Sequence, residues 1–379
     1  MSNPLFQPLT SSRPPQQGLS DVFGRLHLDL WLLLLLAGVS AIGLIVLYSA
    51  SGHSMSTVMN QAERLLLGLG VMTVAAQATP EMYRAIAPWF YAMATLLLVM
   101  VLLLGDHAKG AQRWLDFGVV RFQPAEFMKL AMPLCVASFL HGRPLPPSVS
   151  TIAITLAIIG VQTVLIAVQP DLGTSLLIVA AGGFALYFGG LGYRWIIGAL
   201  AAIGAALPVL WTRLHDYQRQ RVLTFMDPES DPLGTGYHIT QSKIAIGSGG
   251  LFGKGWLNGT QAKLDFLPES HTDFIFAVYS EELGLMGVLF LLGLYLAIVG
   301  RCLYIAVRAQ DTFQRLLAGA LGMTFFIYIF INMGMVIGLL PVVGVPLPLV
   351  SYGGTSMVSL LAGFGMLMSI QTHRKLLAS

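Results

Sequence analysis

The chain has 379 residues, 55% of them hydrophobic and only 10% charged. Soluble domains carry about 25% charged residues, so the composition excludes a soluble fold and points to a polytopic membrane protein. The formal net charge of +3 is too small to support nucleic-acid binding.

Residues 1–28 are polar and rich in Pro, Ser and Gln, and read as a flexible cytoplasmic tail. The first apolar run, about 29–50, is long enough to span a bilayer, which takes about 20 residues. A cleaved signal has a shorter core of about 7–15. Further spanning runs lie at about 62–79, 85–104, 124–141, 149–168, 174–190, 194–212, 273–300, 314–339 and 350–371. The expected fold is an all-α polytopic membrane domain over 29–372, with about ten transmembrane helices. With the N-terminus inside, every inner segment holds a basic residue, among them Arg25, Arg84, Arg143, Arg194, Arg301 and Arg374. Both termini, including the short tail 373–379, then fall in the cytoplasm. A charged loop at about 105–123 faces outward. So does a long loop, 213–272, between the seventh and eighth helices. Cys135 and Cys302 lie far apart in this topology and read as packing residues.

Several constellations share the outer face. LPESHTDFIFAV, Leu267 to Val278, puts Asp273 where a polar loop meets a membrane-length apolar segment. An acid at that boundary is costly to desolvate and marks a site. Glu269 and His271 crowd the same turn, and Asp265 lies upstream. In RFQPAEFMKL, Pro124 suits a first helical turn, and Glu126 and Lys129 share one helical face. The pair points either into a functional cavity or serves only to orient the helix. In AKGAQRWLDFG, Arg113 beside Trp114 offers either a bidentate phosphate contact or a headgroup anchor. QPDLGTS reads as a tight outer turn in which Asp171 and Thr174 cap the next helix.

In the long loop, Thr235 is placed to cap an interfacial amphipathic helix over about 236–246, ended by Gly247. Ile239, Ile244 and Ile246 would rest at the interface, with Lys243 pointing elsewhere. The Gly-rich GSGGLFGKG run that follows reads as mobile and lacks the ending of a P-loop. PLPLVSYGGTS, Pro346 to Ser356, implies irregular backbone at membrane depth, tolerated where it lines a watery cavity. Ser351, Tyr352, Thr355 and Ser356 supply hydroxyls there. No helix-spaced metal-ligand pair and no Cys/His nucleophile pattern stands out.

Taken together, LPESHTDFIFAV with EELG behind it, QPAEF, QPDLGTS and PLVSYGGTS resemble the SEDS family (shape, elongation, division and sporulation). The stretch from Asn332 through Gly338, Pro341 and Gly344 to Ser356 is similar to that family's signature without a gap. The wording around TQAKLDFLPESHTDFIFAV resembles the rod-shape (RodA-like) branch more than the division (FtsW-like) branch. The resemblance implies a peptidoglycan glycosyltransferase that polymerises lipid II at the outer face of the bacterial inner membrane during cell elongation. It also implies a class B penicillin-binding protein as transpeptidase partner, with Asp273 as the essential loop aspartate.

The chemistry fits these residues. The acceptor's GlcNAc 4-hydroxyl must attack the donor's anomeric carbon and expel a lipid diphosphate. One carboxylate, Asp273, serves as general base. Arg113, Lys129 and Lys243 are candidates to stabilise the diphosphate. Glu126, Glu269, His271, Ser351 and Thr355 complete the expected substrate-binding set. A divalent cation, Mg or Mn, shares the charge in the family's pattern, although no complete protein cage for one is visible. Two rival readings are a lipid II flippase or other transporter, and a non-enzymatic scaffold for a penicillin-binding protein.

Overall fold

The computed structural model describes residues 26–108, 111–116, 121–213, 216–227, 234–264, 266–267 and 269–373. Asp265 and almost all of the two predicted tails lie outside these residues. Helices occupy all ten apolar segments: α1 Leu30–Ala50, α2 Met55–Gln77, α3 Pro80–Leu104, α4 Pro124–His141, α5 Val149–Val168, α6 Leu172–Phe188, α7 Tyr193–Arg213, α11 Ile275–Val307, α12 Thr312–Ile337 and α13 Thr355–Thr372. Six of them are long and apolar enough to cross a membrane by length and composition: α1, α3, α5, α11, α12 and α13. The fold is that of a largely helical, polytopic membrane protein.

Polar residues set where helices start. The side chains of Asp29, Ser54, Thr79, Ser148 and Asp171 each accept a hydrogen bond from a backbone N–H of the following first turn. Each satisfies a donor that the helix itself cannot. Pro80 and Pro124 stand at the first helical position, where a missing N–H is harmless.

α4 and α12 form the centre of the bundle. α12 packs on α4, α6 and α11, and α13 packs along α2. α4 and α12 are buried on most of their surface, whereas α3 and α5 turn large apolar side chains outward. Small residues allow the closest approaches. A Cβ on Gly365 of α13 would stand 2.4 Å from the Met72 carbonyl oxygen of α2. Close backbone contact of this kind drives helix association where lipid offers no hydrophobic gain.

Three features depart from the sequence reading. First, the charged outer loop carries a small antiparallel sheet, β1 Asp106–Ala108, β2 Ala111–Asp116 and β3 Arg121–Phe122, in that order. Leu115 pairs with Phe122, which fixes Arg113 and Trp114 against the head of α4. Second, the expected interfacial helix is α9, Thr235–Gly249, which starts after Gly234 and packs on α11 and α12. Of the three isoleucines expected at an interface, Ile239 is buried, Ile246 half-buried and Ile244 exposed, so one face of α9 packs into the protein core. The loop also carries α8, Asp216–Met226, and the single turn α10, Thr260–Lys263.

Third, α11 is 33 residues long, about 50 Å at 1.5 Å per residue, against a bilayer core of about 30 Å. It is divided at Gly284, whose φ of 64° and ψ of −165° are not helical. Residues 285–307 alone reach about 35 Å. The preceding half-helix is buried at every residue from Phe274 to Glu282. The Gly-rich run expected to be mobile is seated in this break. Lys254 and Gly255 N–H donate to the Glu281 and Glu282 carbonyls at 3.0 and 2.9 Å, and Leu285 and Met286 N–H donate to the Gly250 and Leu251 carbonyls at 2.9 and 3.0 Å. A helix break at this depth persists only when its freed backbone groups are paired again.

The α2–α13 contact yields a test. Gly365→Ala forces the two backbones apart and is expected to destabilise the protein by about 1–3 kcal/mol. Gly160→Ala, on a face of α5 with nothing within 4 Å, is expected to be neutral or slightly stabilising. Thermal unfolding of the two purified variants in detergent makes the comparison.

Candidate active site

The site begins at the head of α4. Helical spacing brings Glu126 and Lys129 together, and Lys129 Nζ donates to Glu126 Oε1 at 2.6 Å. Both side chains are buried, at 6% and 7% exposure. Two buried charges are stable only if their remaining capacity is also used. Ser359 Oγ donates to Glu126 Oε2 at 2.8 Å, and Lys129 Nζ lies 4.9 Å from the Tyr328 ring centre.

This pair forms part of the wall of a polar chamber of about 240 Å³, together with Arg113, Trp114, Gln123, Asp171, Tyr328, Thr355, Ser356 and the backbone of Gly344, Gly353 and Gly354. Arg113 reaches it from β2. Its Nη2 donates to the Pro170 carbonyl, and its Nε stands 3.8 Å from Asp171 Oδ2. Asp171 thus does more than cap α6. Its Oδ1 accepts from Thr174 N–H at 3.2 Å, while Oδ2 accepts from Gln123 Nε2 at 2.9 Å.

A second, larger hollow of about 700 Å³ adjoins the chamber and shares Trp114, Glu126, Gly353, Gly354 and Thr355 with it. Its other walls are mainly apolar, from Leu67 and Val71 of α2, Phe90 of α3, Phe127 of α4 and Val358 of α13. One cation stands in it: Arg64 lies over the Tyr352 ring at 4.5 Å.

Asp273 sits at the head of the buried half-helix of α11. Its carbonyl accepts from Asn332 Nδ2 at 3.0 Å, and the same amide reaches the Val345 carbonyl at 2.8 Å. Its Oδ2 is 3.5 Å from the point where a Cβ on Gly344 would stand. Gly344 lines the chamber, so the carboxylate lies at the chamber's rim beside that glycine.

The other expected residues divide into two groups. Thr355 lines both hollows. His271 packs its ring on Tyr352 at 6.0 Å and accepts from Tyr352 N–H at 2.9 Å through its carbonyl. Glu269 is exposed, in a left-handed turn with φ of 56°, and accepts from Thr272 Oγ1 at 2.8 Å. Ser351 and Lys243 are not brought to the chamber wall. The Ser351 hydroxyl accepts from Leu347 N–H at 2.8 Å and holds its own loop. Lys243 is directed at the end of α12, where its Nζ would be 2.8 Å from a Cβ on Gly338. Cys135 and Cys302 are free thiols, as expected.

The sequence reading missed Arg64, Gln123, Tyr328 and Asn332. Arg64 carried a usable signal, a cation in the outer turns of an apolar segment. Tyr328 and Asn332 fall within an apolar run, and only the packing of α12 beside the site gives them a role. Among the described residues, no three His, Cys, Asp or Glu side chains are grouped so as to hold a metal ion. The divalent cation expected from the resemblance therefore finds no cage of protein ligands there.

Residues 29–376 match the profile of the FtsW/RodA/SpoVE family, described as cell cycle proteins. The chain belongs to this family. It is a SEDS protein of the RodA-like branch. The peptidoglycan glycosyltransferase MrdB of Escherichia coli K12 is 54% identical over 355 residues, which cover 93% of this chain and 96% of MrdB. An FtsW of Halorhodospira halophila is 38% identical over 359 residues, 90% of each chain. Among solved structures, one reported for structural coordination of polymerization and crosslinking by a peptidoglycan synthase complex aligns with a TM-score of 0.80 at 30% identity, over 92% of this chain and 99% of that one. The rod shape determining protein RodA of Thermus thermophilus aligns with a TM-score of 0.70 at 28% identity, over 92% and 98%.

The buried pair supplies a stability test. Removing one partner, as in Glu126→Gln or Lys129→Met, leaves an uncompensated buried group and is expected to cost about 3–5 kcal/mol. The double variant Glu126→Gln/Lys129→Met is expected to be more stable than either single one. Thermal unfolding of the three purified proteins decides it.

Proposed function

We propose that this chain is a peptidoglycan glycosyltransferase that polymerises lipid II into glycan strands at the outer face of the bacterial inner membrane, in cell elongation and rod-shape maintenance. The observation that carries the reading is a cation-bearing polar chamber opening into an apolar groove, with one carboxylate at its rim. Lipid II has the matching layout: a polyprenyl tail, a diphosphate and sugars at the bilayer surface. The groove takes the first part of the tail, and Arg64, Arg113 and Lys129 face the diphosphate. Relatives named as peptidoglycan glycosyltransferases support the same reading.

In the reaction, the acceptor's 4-hydroxyl oxygen forms a bond to the donor's anomeric carbon. The bond from that carbon to the diphosphate oxygen breaks, and the hydroxyl proton passes to Asp273. The leaving polyprenyl diphosphate carries the new negative charge, which the chamber's cations offset. Inversion in one displacement needs a single base and no covalent intermediate, unlike the paired carboxylates of glycoside hydrolysis. Glu126 holds Lys129 in place, and Thr355 contributes a hydroxyl at the wall. Glu269 and His271 flank the acceptor side of Asp273. Lys243 and Ser351 contact substrate only where it extends beyond the chamber. No step in this reading runs through a divalent cation.

The same reading places all ten helices across the bilayer within a 29–372 domain, with both termini cytoplasmic. The loop 213–272 between the seventh and eighth helices then lies on the outer face beside Asp273. A class B penicillin-binding protein is the proposed partner for crosslinking, in keeping with the peptidoglycan synthase complex that this fold matches.

Polymer formation from purified protein and lipid II separates this reading from a flippase or a scaffold. Asp273→Asn keeps the shape but cannot accept the proton, and is expected to lower turnover by about 10²–10⁴-fold with folding intact. Correctly folded Arg64→Ala, Arg113→Ala and Lys129→Ala proteins at saturating lipid II are each expected to lose about 10²–10³ in rate. Wild-type turnover by Asp273→Asn removes it as the base. Normal turnover in all three cation variants removes the diphosphate assignment.

A further inference from the structure

Asp273 stands on a short half-helix whose far end is clamped by groups that take no part in the chemistry. The clamp is built from Glu281 and Glu282, in the last turn before the break at Gly284. Glu281 is completely buried and accepts from Lys254 Nζ at 2.7 Å, Thr260 N–H at 2.8 Å and Thr260 Oγ1 at 2.8 Å. Glu282, 1% exposed, accepts from Leu257 N–H at 3.1 Å and from the Ser49 hydroxyl of α1. The seat has no slack. A Cβ on Gly249 or Gly253 would stand 2.1 Å from the Ser280 or Glu282 carbonyl oxygen. The head of the half-helix is tied as well: Ser270 Oγ donates to the Ala50 carbonyl at 2.9 Å, and Asn332 holds the Asp273 carbonyl.

We propose that Glu281 and Glu282 are positioning residues for the glycosyl transfer: by locking the Gly249–Thr260 loop and α1 onto the foot of the half-helix, they set the height of Asp273 at the chamber rim. The inference rests on Asp273 being the base. Ile275 to Leu283 is one continuous helical segment that begins just after Asp273, so a shift at its foot is passed to its head. General-base transfer demands hydrogen-bond reach to the acceptor hydroxyl, and a displacement of about 1 Å at a remote residue can cost about 10²-fold in rate. Neither glutamate lines the chamber or the groove, so lipid II binding does not depend on them.

The test compares Glu281→Gln, Ser49→Ala and Asp273→Asn as purified full-length protein, measuring lipid II polymerisation, lipid II affinity and thermal unfolding. Glu281→Gln keeps the shape but loses the charge that holds Lys254. It is expected to lower kcat by roughly 10–100-fold, with KM and lipid II affinity within about twofold of wild type. Ser49→Ala removes one donor to Glu282 and is the milder variant, expected to lower kcat by about 3–10-fold with the folded fraction unchanged. It carries the test should Glu281→Gln fold poorly. Hydrogen exchange is expected to rise at Phe274–Glu282 and not at the head of α4. Unchanged kcat in a folded Glu281→Gln or Ser49→Ala protein overturns the proposal, as does loss of lipid II affinity in step with rate. The Asp273→Asn arm keeps the two readings apart. Its inactivity beside fully active clamp variants refutes the clamp alone, whereas its activity refutes the base itself.

Discussion

Inside an apolar bundle, every backbone group that leaves a helix must find a partner in the protein, because lipid supplies none. This constraint governs the half of the molecule that holds the chamber. The break at Gly284 frees N–H and C=O groups in α11, and the Gly249–Gly255 backbone pairs with them. The irregular stretch between α12 and α13 is met in the same way. Asn332 reaches the Val345 carbonyl, Tyr295 OH donates to the Pro348 carbonyl at 2.7 Å, and Gln61 Nε2 donates to the Ser351 carbonyl at 3.1 Å. The two irregular segments touch where Tyr352 N–H meets the His271 carbonyl. Asp273 and the chamber sit at that junction. The polar backbone that a membrane protein ordinarily hides is here what shapes the site.

The opposite end of the bundle is held by charges that do no chemistry. Arg301 donates to Asp29 at 2.5 Å, joining α11 to the start of α1. Asp311 draws together Arg84 of α3 at 3.7 Å and His141 of α4 at 3.1 Å. His27 stacks on His373 at 3.9 Å, and burial, with the neighbouring His373, holds its pKa below the usual histidine value. Asp29 is buried, whereas Arg84, His141 and Asp311 are partly exposed and their pairs are individually weak. Their collective effect is to tie helix ends together, joining α1 to α11 and α3 and α4 to the start of α12.

Much of this was legible in the sequence, for specific reasons. The apolar runs located the helices because spanning length is a coarse signal that tolerates boundary errors. Glu126 and Lys129 declared themselves by helical spacing and by the cost of charge in an apolar segment. Asp171 declared itself only as a cap. Its hold on Gln123 and Arg113 depends on β2 and β3, which form where a charged loop was expected. The GSGGLFGKG run was misread for one reason: glycine reports backbone freedom and cannot say whether that freedom is spent on motion or on a tight insertion. Ile239 was assigned to an interface because a helix packed against the core and an interfacial one share apolar residues. Tyr328 gave no sign and Asn332 only its place at the start of the family signature, since their roles arise from what α12 packs against.

The charge inventory of the hollows bears on how they meet an anion. Arg64, Arg113 and Lys129 line the two joined spaces together with Glu126 and Asp171, three positive and two negative groups, a balance of +1 that Asp273 at the rim brings to zero. Each carboxylate already holds a cation: Glu126 holds Lys129 and Asp171 adjoins Arg113. An incoming diphosphate therefore meets cations whose positions are set beforehand, and it competes with two fixed carboxylates for them. That competition weakens ground-state binding. It leaves more of the attraction for the transition state, where charge grows on the leaving oxygen, which is how preorganised donors accelerate a step rather than merely retain a substrate. Under the proposed function, Glu126 and Asp171 hold those cations in place, and the buried pair on α4 contributes geometry rather than stability.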